Sequence, residues 1–178
     1  MDDAQAREFI QNANLVSQHW IENERTSLYQ HQANGEFLSI IVGVGDNPAI
    51  KPFWFGNYRY PDDFSFLDEF DGCWLECNGM SRLIHWKLAK ENIPHRFMVG
   101  RIASPYGYDG IHFWIQLMDG RVVDYRLRMW LGDRPDVPKG VFAPEEHREI
   151  VQYWGEEQDE PVLPDAVAEV LRLDIGLP

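Results

Sequence analysis

Apolar positions change their spacing several times along this chain, and each change marks an element. Phe9, Ile10, Ala13, Val16, Trp20 and Ile21 recur at helical intervals between polar neighbours, a stripe that predicts a helix from about Asp2 to Glu24 packed against the core. Phe37 to Val44 is continuous, apolar and β-branched between Asn34-Gly35 and Gly45-Asp46-Asn47-Pro48, so it reads as a buried strand between turns. From Pro48 to Gly72 three prolines interrupt a dense aromatic set that includes Phe53, Trp54, Phe55, Tyr58, Tyr60, Phe64, Phe66 and Phe70. That stretch reads as a long loop or several short pieces. Its aromatics are expected to cover one side of the core, with a groove wall as the alternative.

Helical spacing returns over Cys73 to Asn92, with Cys77, Met80, Ser81, Ile84 and Leu88 on one face and Arg82, Lys87 and Lys90 largely on the other. Ile93-Pro94 stops it. Three strand-like runs follow, Arg96 to Ala103, Ile111 to Met118 and Arg121 to Leu127, the last two joined by the hairpin signal Asp119-Gly120. Beyond Met129, prolines at 135, 138, 144, 161 and 164 separate helices predicted near Glu145 to Trp154 and Asp165 to Leu173. The order predicts an α+β fold, an antiparallel sheet packed on a helix. With no internal repeat and no second core, residues 1–178 read as a single domain.

Composition narrows the function classes. Apolar residues make up 44% and aromatics 13% of the 178 residues, enough for one full core. Sixteen Lys and Arg against 29 Asp and Glu give a formal charge of −13, which repels nucleic acid and anionic membrane surfaces. No run approaches the ~18 apolar residues of a membrane span, and Met1-Asp2-Asp3-Ala4-Gln5 lacks the basic start of a signal peptide; a cytoplasmic protein is expected. The two cysteines, Cys73 and Cys77, lie four apart, awkward for a disulfide on one helix and without the second short ligand pair of a zinc site, so free thiols are expected and no metal or cofactor.

The chemistry that remains lies between Cys77 and Asp124. A thiol with an ordinary pKa of ~8.5 becomes a nucleophile when something stabilises its thiolate. The amide groups of a helix start and a neighbouring imidazole both do so. A carboxylate on the other ring nitrogen then holds the tautomer and stabilises the imidazolium. Cys77, His112 and Asp124 follow in that order. Hairpin geometry tests the last pair. A two-residue turn at Asp119-Gly120 would pair 115 with 124 and point His112 and Asp124 to opposite faces. A three-residue loop, Met118-Asp119-Gly120, with glycine in a left-handed position, pairs 117 with 121 and 114 with 124, which makes them diagonal neighbours on one face.

These residues resemble the transglutaminase-like branch of the papain-like cysteine protease fold. In that branch the nucleophile begins a helix, and the positions that follow it match Ser81, Leu83, Ile93, Pro94 and Gly100 here. The family's His-x-Trp block, turn and aspartate match His112-Phe113-Trp114, Asp119-Gly120 and Asp124. The resemblance covers about 50 residues. It departs at Leu75, where the family often has glycine. Cys73, within Gly72-Cys73-Trp74, is a rival nucleophile that looks like the Cys-Trp of other papain-like enzymes, yet it puts Ile93-Pro94 four residues too far. Cys77 is preferred. The aspartate comes slightly early after the histidine, and backbone amides at the helix start are the expected oxyanion donors.

Taken singly, each residue also has an ordinary role: a core cysteine, a satisfied interior histidine, a turn or surface acid. Together, the resemblance implies a thiol hydrolase acting on peptide or side-chain amides of a protein or peptide substrate. The same acyl-enzyme can pass its group to an amine, as a transglutaminase or acyltransferase does. A reading from another class is a non-catalytic protein-binding module on the same fold. Arg126 and Arg128 are expected to form a solvated stripe and Trp130 to cap the core, with cleft lining as the alternative. His85, His95 and His147 fall outside the pattern.

Overall fold

A computed structural model describes residues 1–21, 24–43, 50–56, 58–108 and 110–173. It is a mixed α+β fold with two antiparallel sheets and few helices. Helix α1, Asp3–Gln11, starts in a capping box: Asp2 Oδ1 accepts from the Gln5 amide at 2.9 Å and Gln5 Oε1 from the Asp2 amide at 2.9 Å. It then stops, well short of Glu24.

Ala13–Ile21 is instead strand β1, paired with β2 (Glu24–His31) from Ala13↔His31 to Ile21↔Glu24. Only the first part of the stripe that predicted a helix became a core face: Phe9 is buried, with Ile10 and Ala13 against the same cluster, whereas Val16 and Trp20 remain 51% and 42% exposed. Apolar spacing in a window this short fits either period, and the hairpin partner decided between them. Strand β3, Phe37–Gly43, lies where the sequence placed it; the turn expected at 45–48 lies outside the described residues. Strand β4, Ile50–Gly56, runs through the segment read as loop and completes a sheet of order β1-β2-β3-β4. Leu38 and Ile40 of β3 pack on Ala6 and Phe9 of α1.

The aromatic stretch divides. Phe64, Leu67 and Phe70, the last two in a 3-10 helix over Ser65–Phe70, are buried in the main core, whereas Phe53 and Trp54 stay exposed on β4. Helix α2, Cys77–Lys90, buries Met80, Leu83, Ile84 and Leu88 in that core. Its last turn carries Lys87 and Lys90, which suit the negative end of the helix dipole.

The second sheet takes strands β5 (His95–Ala103), β6 (Ile111–Leu117), β7 (Val122–Asp124), β8 (Gly140–Phe142) and β9 (Gln152–Glu157) in the order β8-β7-β6-β5-β9. One face, with Phe97, Ile115, Leu117 and Val123, packs with α2. The other, with Met98, Trp114, Val122 and Tyr153, packs on Leu127 and Leu131 of the short helix α3, Leu127–Leu131. The helix predicted over Glu145 to Trp154 is a correction: Pro144–His147 forms a 3-10 helix, turns follow over 148–150, and β9 then adds to the free edge of β5. Tyr153 and Trp154 favour an extended chain once an edge is there to receive it. Helix α4, Asp165–Arg172, packs across α2.

Arg96 joins the two sheets: its Nη1 donates to Glu24 Oε2 at 2.7 Å and Gln116 Oε1 at 3.1 Å, and its Nε to Glu157 at 3.2 Å. His19 Nδ1 lies 2.6 Å from Glu145 Oε2. No helix among the described residues is long and apolar enough to cross a membrane.

Gly100 of β5 faces His112 on β6 and Gly155 on β9, and a Cβ there would lie 1.9 Å from the Trp154 carbonyl oxygen. Gly100→Ala is expected to cost about 3 kcal/mol, the upper part of the range for overpacking, read as a lower urea midpoint with an unchanged slope. Gly72→Ala, with nothing within 4 Å of its Cβ, is expected to leave the midpoint within about 0.5 kcal/mol.

Candidate active site

Helix α2 begins at Cys77, not Cys73. Glu76 is its extended N-cap (φ −70°, ψ 175°), so Cys77 is the first helical residue, in the turn whose amide groups lack helical partners. Cys73 precedes the helix; it is buried, and its thiol donates to the Arg172 carbonyl of α4 at 3.6 Å. Neither cysteine is in a disulfide. Cys77 meets the start of β6, at His112 and the Phe113 amide.

The hairpin after β6 has the three-residue loop. Gly120 has φ +95°, its amide donates to Leu117 O at 2.9 Å, and the Leu117 amide donates to Arg121 O at 2.9 Å. Ile115↔Val123 and Gln116↔Val122 continue that register, which sets Asp124 diagonal to His112 on the Trp114 face. His112 Nε2 lies 2.6 Å from Asp124 Oδ2, with both residues buried. Trp114 stacks on the imidazole at 17° and 6.1 Å between centroids. With Nε2 committed to the carboxylate, Nδ1 is the nitrogen left for the thiol. Nδ1 is buried without a well-formed hydrogen bond, and Cys77 interacts with the ring and with the Phe113 amide.

Electrostatics couple the three groups. Burial pushes the Cys77 thiol up, but the His112 ring and the Phe113 amide outweigh it and bring the thiol below its ordinary value. Burial alone would lower His112; the Asp124 carboxylate, helped by Cys77, instead pushes it up to about 9. Asp124 is held below the usual carboxylate range despite burial, because His112, the Arg126 amide and the Tyr153 hydroxyl all donate to it. All three shifts favour thiolate beside imidazolium.

Two members of the arrangement were not legible as such. Tyr153 of β9 donates its hydroxyl to Asp124 Oδ2 at 2.9 Å, the oxygen that also holds His112. No motif marked it, and its segment read as helix. Arg126 corrects the expectation of a solvated stripe. It is buried, its amide donates to Asp124 Oδ1 at 2.9 Å, and its guanidinium bonds the carbonyls of Asp71, Cys73 and Leu75 in the loop that leads into Cys77. Arg128 is half-buried and donates to Val137 O at 2.8 Å. Trp130 packs on Tyr108, whose ring meets the His112 ring edge-on at 6.4 Å.

The remaining histidines lie elsewhere. His85 Nδ1 and His95 Nε2 are 2.7 Å apart and link α2 to β5, with burial pushing both down, His95 to about 4. His147 packs edge-on against Phe142. Among the described residues no group of three or more His, Cys, Asp or Glu side chains is placed to hold a metal ion. No protein-family model, curated protein or solved structure matches the chain.

The shared oxygen makes Tyr153 a positioning residue with a measurable signature. In Tyr153→Phe, Asp124 loses a donor and becomes a stronger partner for the imidazolium. The His112 inflection in a thiol-alkylation pH profile is expected to move above about 9, with a stability loss of roughly 1–2 kcal/mol.

Proposed function

We propose that the protein is a thiol hydrolase of the papain-like, transglutaminase-like fold that cleaves peptide or side-chain amide bonds of a protein or peptide substrate. One observation carries this reading: a buried carboxylate holds one nitrogen of His112 at 2.6 Å while the other is left for the Cys77 thiol at a helix start. In the step that follows, the Cys77 sulfur attacks the carbonyl carbon and His112 gives its proton to the leaving amine. Water then attacks the thioester, its proton passes to His112, and Asp124 holds the ring throughout. Helix-start amides receive the charge that develops on the carbonyl oxygen. Entry of an amine instead of water makes the same site a transglutaminase or acyltransferase. Neither cysteine is in a disulfide, which supports the cytoplasm as the compartment.

A second reading is favoured by one fact: Cys77 is only 5% exposed. A sealed thiol suits a non-catalytic protein-binding module on the same fold.

Iodoacetamide labelling of the intact protein, mapped by mass spectrometry against pH, separates the two. Cys77 is expected to react at pH values below the ordinary thiol range, with a second inflection near 9 as His112 loses its proton. His112→Ala is expected to slow labelling by roughly 100-fold. Labelling confined to Cys73, or indifferent to His112, would sink the enzyme reading.

A further inference from the structure

A cleft of about 630 Å³ opens beside the start of α2. One wall is the loop from Asp71 to Glu76, and the other includes Tyr125, Arg128 and Met129; it ends at Glu76, the residue before Cys77. Arg126 bonds three carbonyls of the first wall, so that loop is held rather than slack. Yet the loop leaves Trp74 91% exposed, two residues from Glu76. Trp74 thus presents a large aromatic face on a fastened loop that leads into Cys77, a geometry that suits contact with a ligand in the cleft.

The charges in the cleft bear on the chemistry of an occupant. Lys139 Nζ lies 2.7 Å from Asp71, Arg128 Nη1 3.4 Å from Asp133, and the Arg126 donors face the loop carbonyls. Glu76 differs. It is exposed, its side chain does not cap α2, and among the described residues no ion pair reaches it. Burial and then the charges of Cys77 and Glu76 push the Tyr108 hydroxyl up, so carboxylate and thiol act on the same neighbour.

Resting on the thiol-enzyme reading, we propose that this cleft selects peptide substrates carrying an arginine or lysine side chain next to the scissile carbonyl, the cation held between the Trp74 ring and the Glu76 carboxylate. The ring face attracts a cation through its quadrupole, and the carboxylate adds a charged hydrogen bond. A chain of formal charge −13 draws such a peptide in and turns an acidic one away. Chemistry is unchanged: the Cys77 sulfur bonds the acyl carbon, the carbon–nitrogen bond breaks, and the leaving amine takes the His112 proton.

Peptidyl vinyl sulfones matched except for arginine, its neutral isostere citrulline, or glutamate test this on the full chain. The arginine probe is expected to label Cys77 roughly three- to tenfold faster than the citrulline probe, the range one exposed ion pair and one cation–π contact supply. Trp74→Ala and Glu76→Gln are expected to bring the ratio toward one. Glu76→Lys is expected to reverse the arginine-over-glutamate preference, which a folding defect cannot imitate. Equal arginine and citrulline rates in a protein whose iodoacetamide labelling depends on His112 would overturn the cleft assignment and leave the thiol enzyme standing. Labelling indifferent to His112 strikes the enzyme reading instead. In that event, calorimetry with Cys77→Ala decides the cleft alone. Tighter binding of an arginine peptide amide than of the citrulline form, lost in Glu76→Gln, supports it. Equal binding, no binding, or agmatine binding as tightly as the peptide overturns it.

Discussion

A carboxylate buried as completely as Asp124 keeps its charge only if donors replace the water it lost. Here three do so, each from a different segment: the His112 ring on β6, the Tyr153 hydroxyl on β9 and the Arg126 amide beyond β7. The ionised carboxylate in turn decides the state of the imidazole. It keeps the proton on Nε2 and leaves Nδ1 for sulfur, so the acid–base assignment of the site descends from one burial problem.

The scaffold serves that arrangement at close range. The Gly120 loop sets the β6–β7 register, and Gly100 and Gly155 let β5 and β9 close behind His112 where a Cβ would strike backbone. Arg126 works on both sides at once: its amide completes the Asp124 acceptor set, and its guanidinium fixes the loop that delivers Cys77. A buried guanidinium with so many carbonyl partners acts as a local strut, which is why the sequence pattern of alternating arginines was a poor guide to it. The same fastening shapes the cleft beside the start of α2, so the geometry around Cys77 and the cleft share one set of constraints.

Legibility followed the range of the interaction. Helix α2, its stop at Ile93-Pro94 and the hairpin through Gly120 were readable, because period, proline chemistry and turn preference act within a few residues. Strand β1 and strand β9 were read as helix. Their apolar spacing was ambiguous, and an edge supplied by another segment settled each. Strand β4 hid in an aromatic, proline-bearing stretch for the same reason. Tyr153 meets Asp124 across 29 residues, and Arg126 meets Cys73 across 53; neither distance leaves a local trace.

By itself, then, the sequence determined the order of Cys77, His112 and Asp124 on a helix start and a hairpin, and a loop compatible with one face for His112 and Asp124. Covalent geometry and short-range hydrogen bonding are enough for that. The tertiary structure decided which thiol meets the imidazole and which is buried against α4. It also decided how Asp124 is kept charged and where the cleft opens. Those outcomes depend on desolvation and on contacts between distant segments, whose energies exist only once the whole chain has packed.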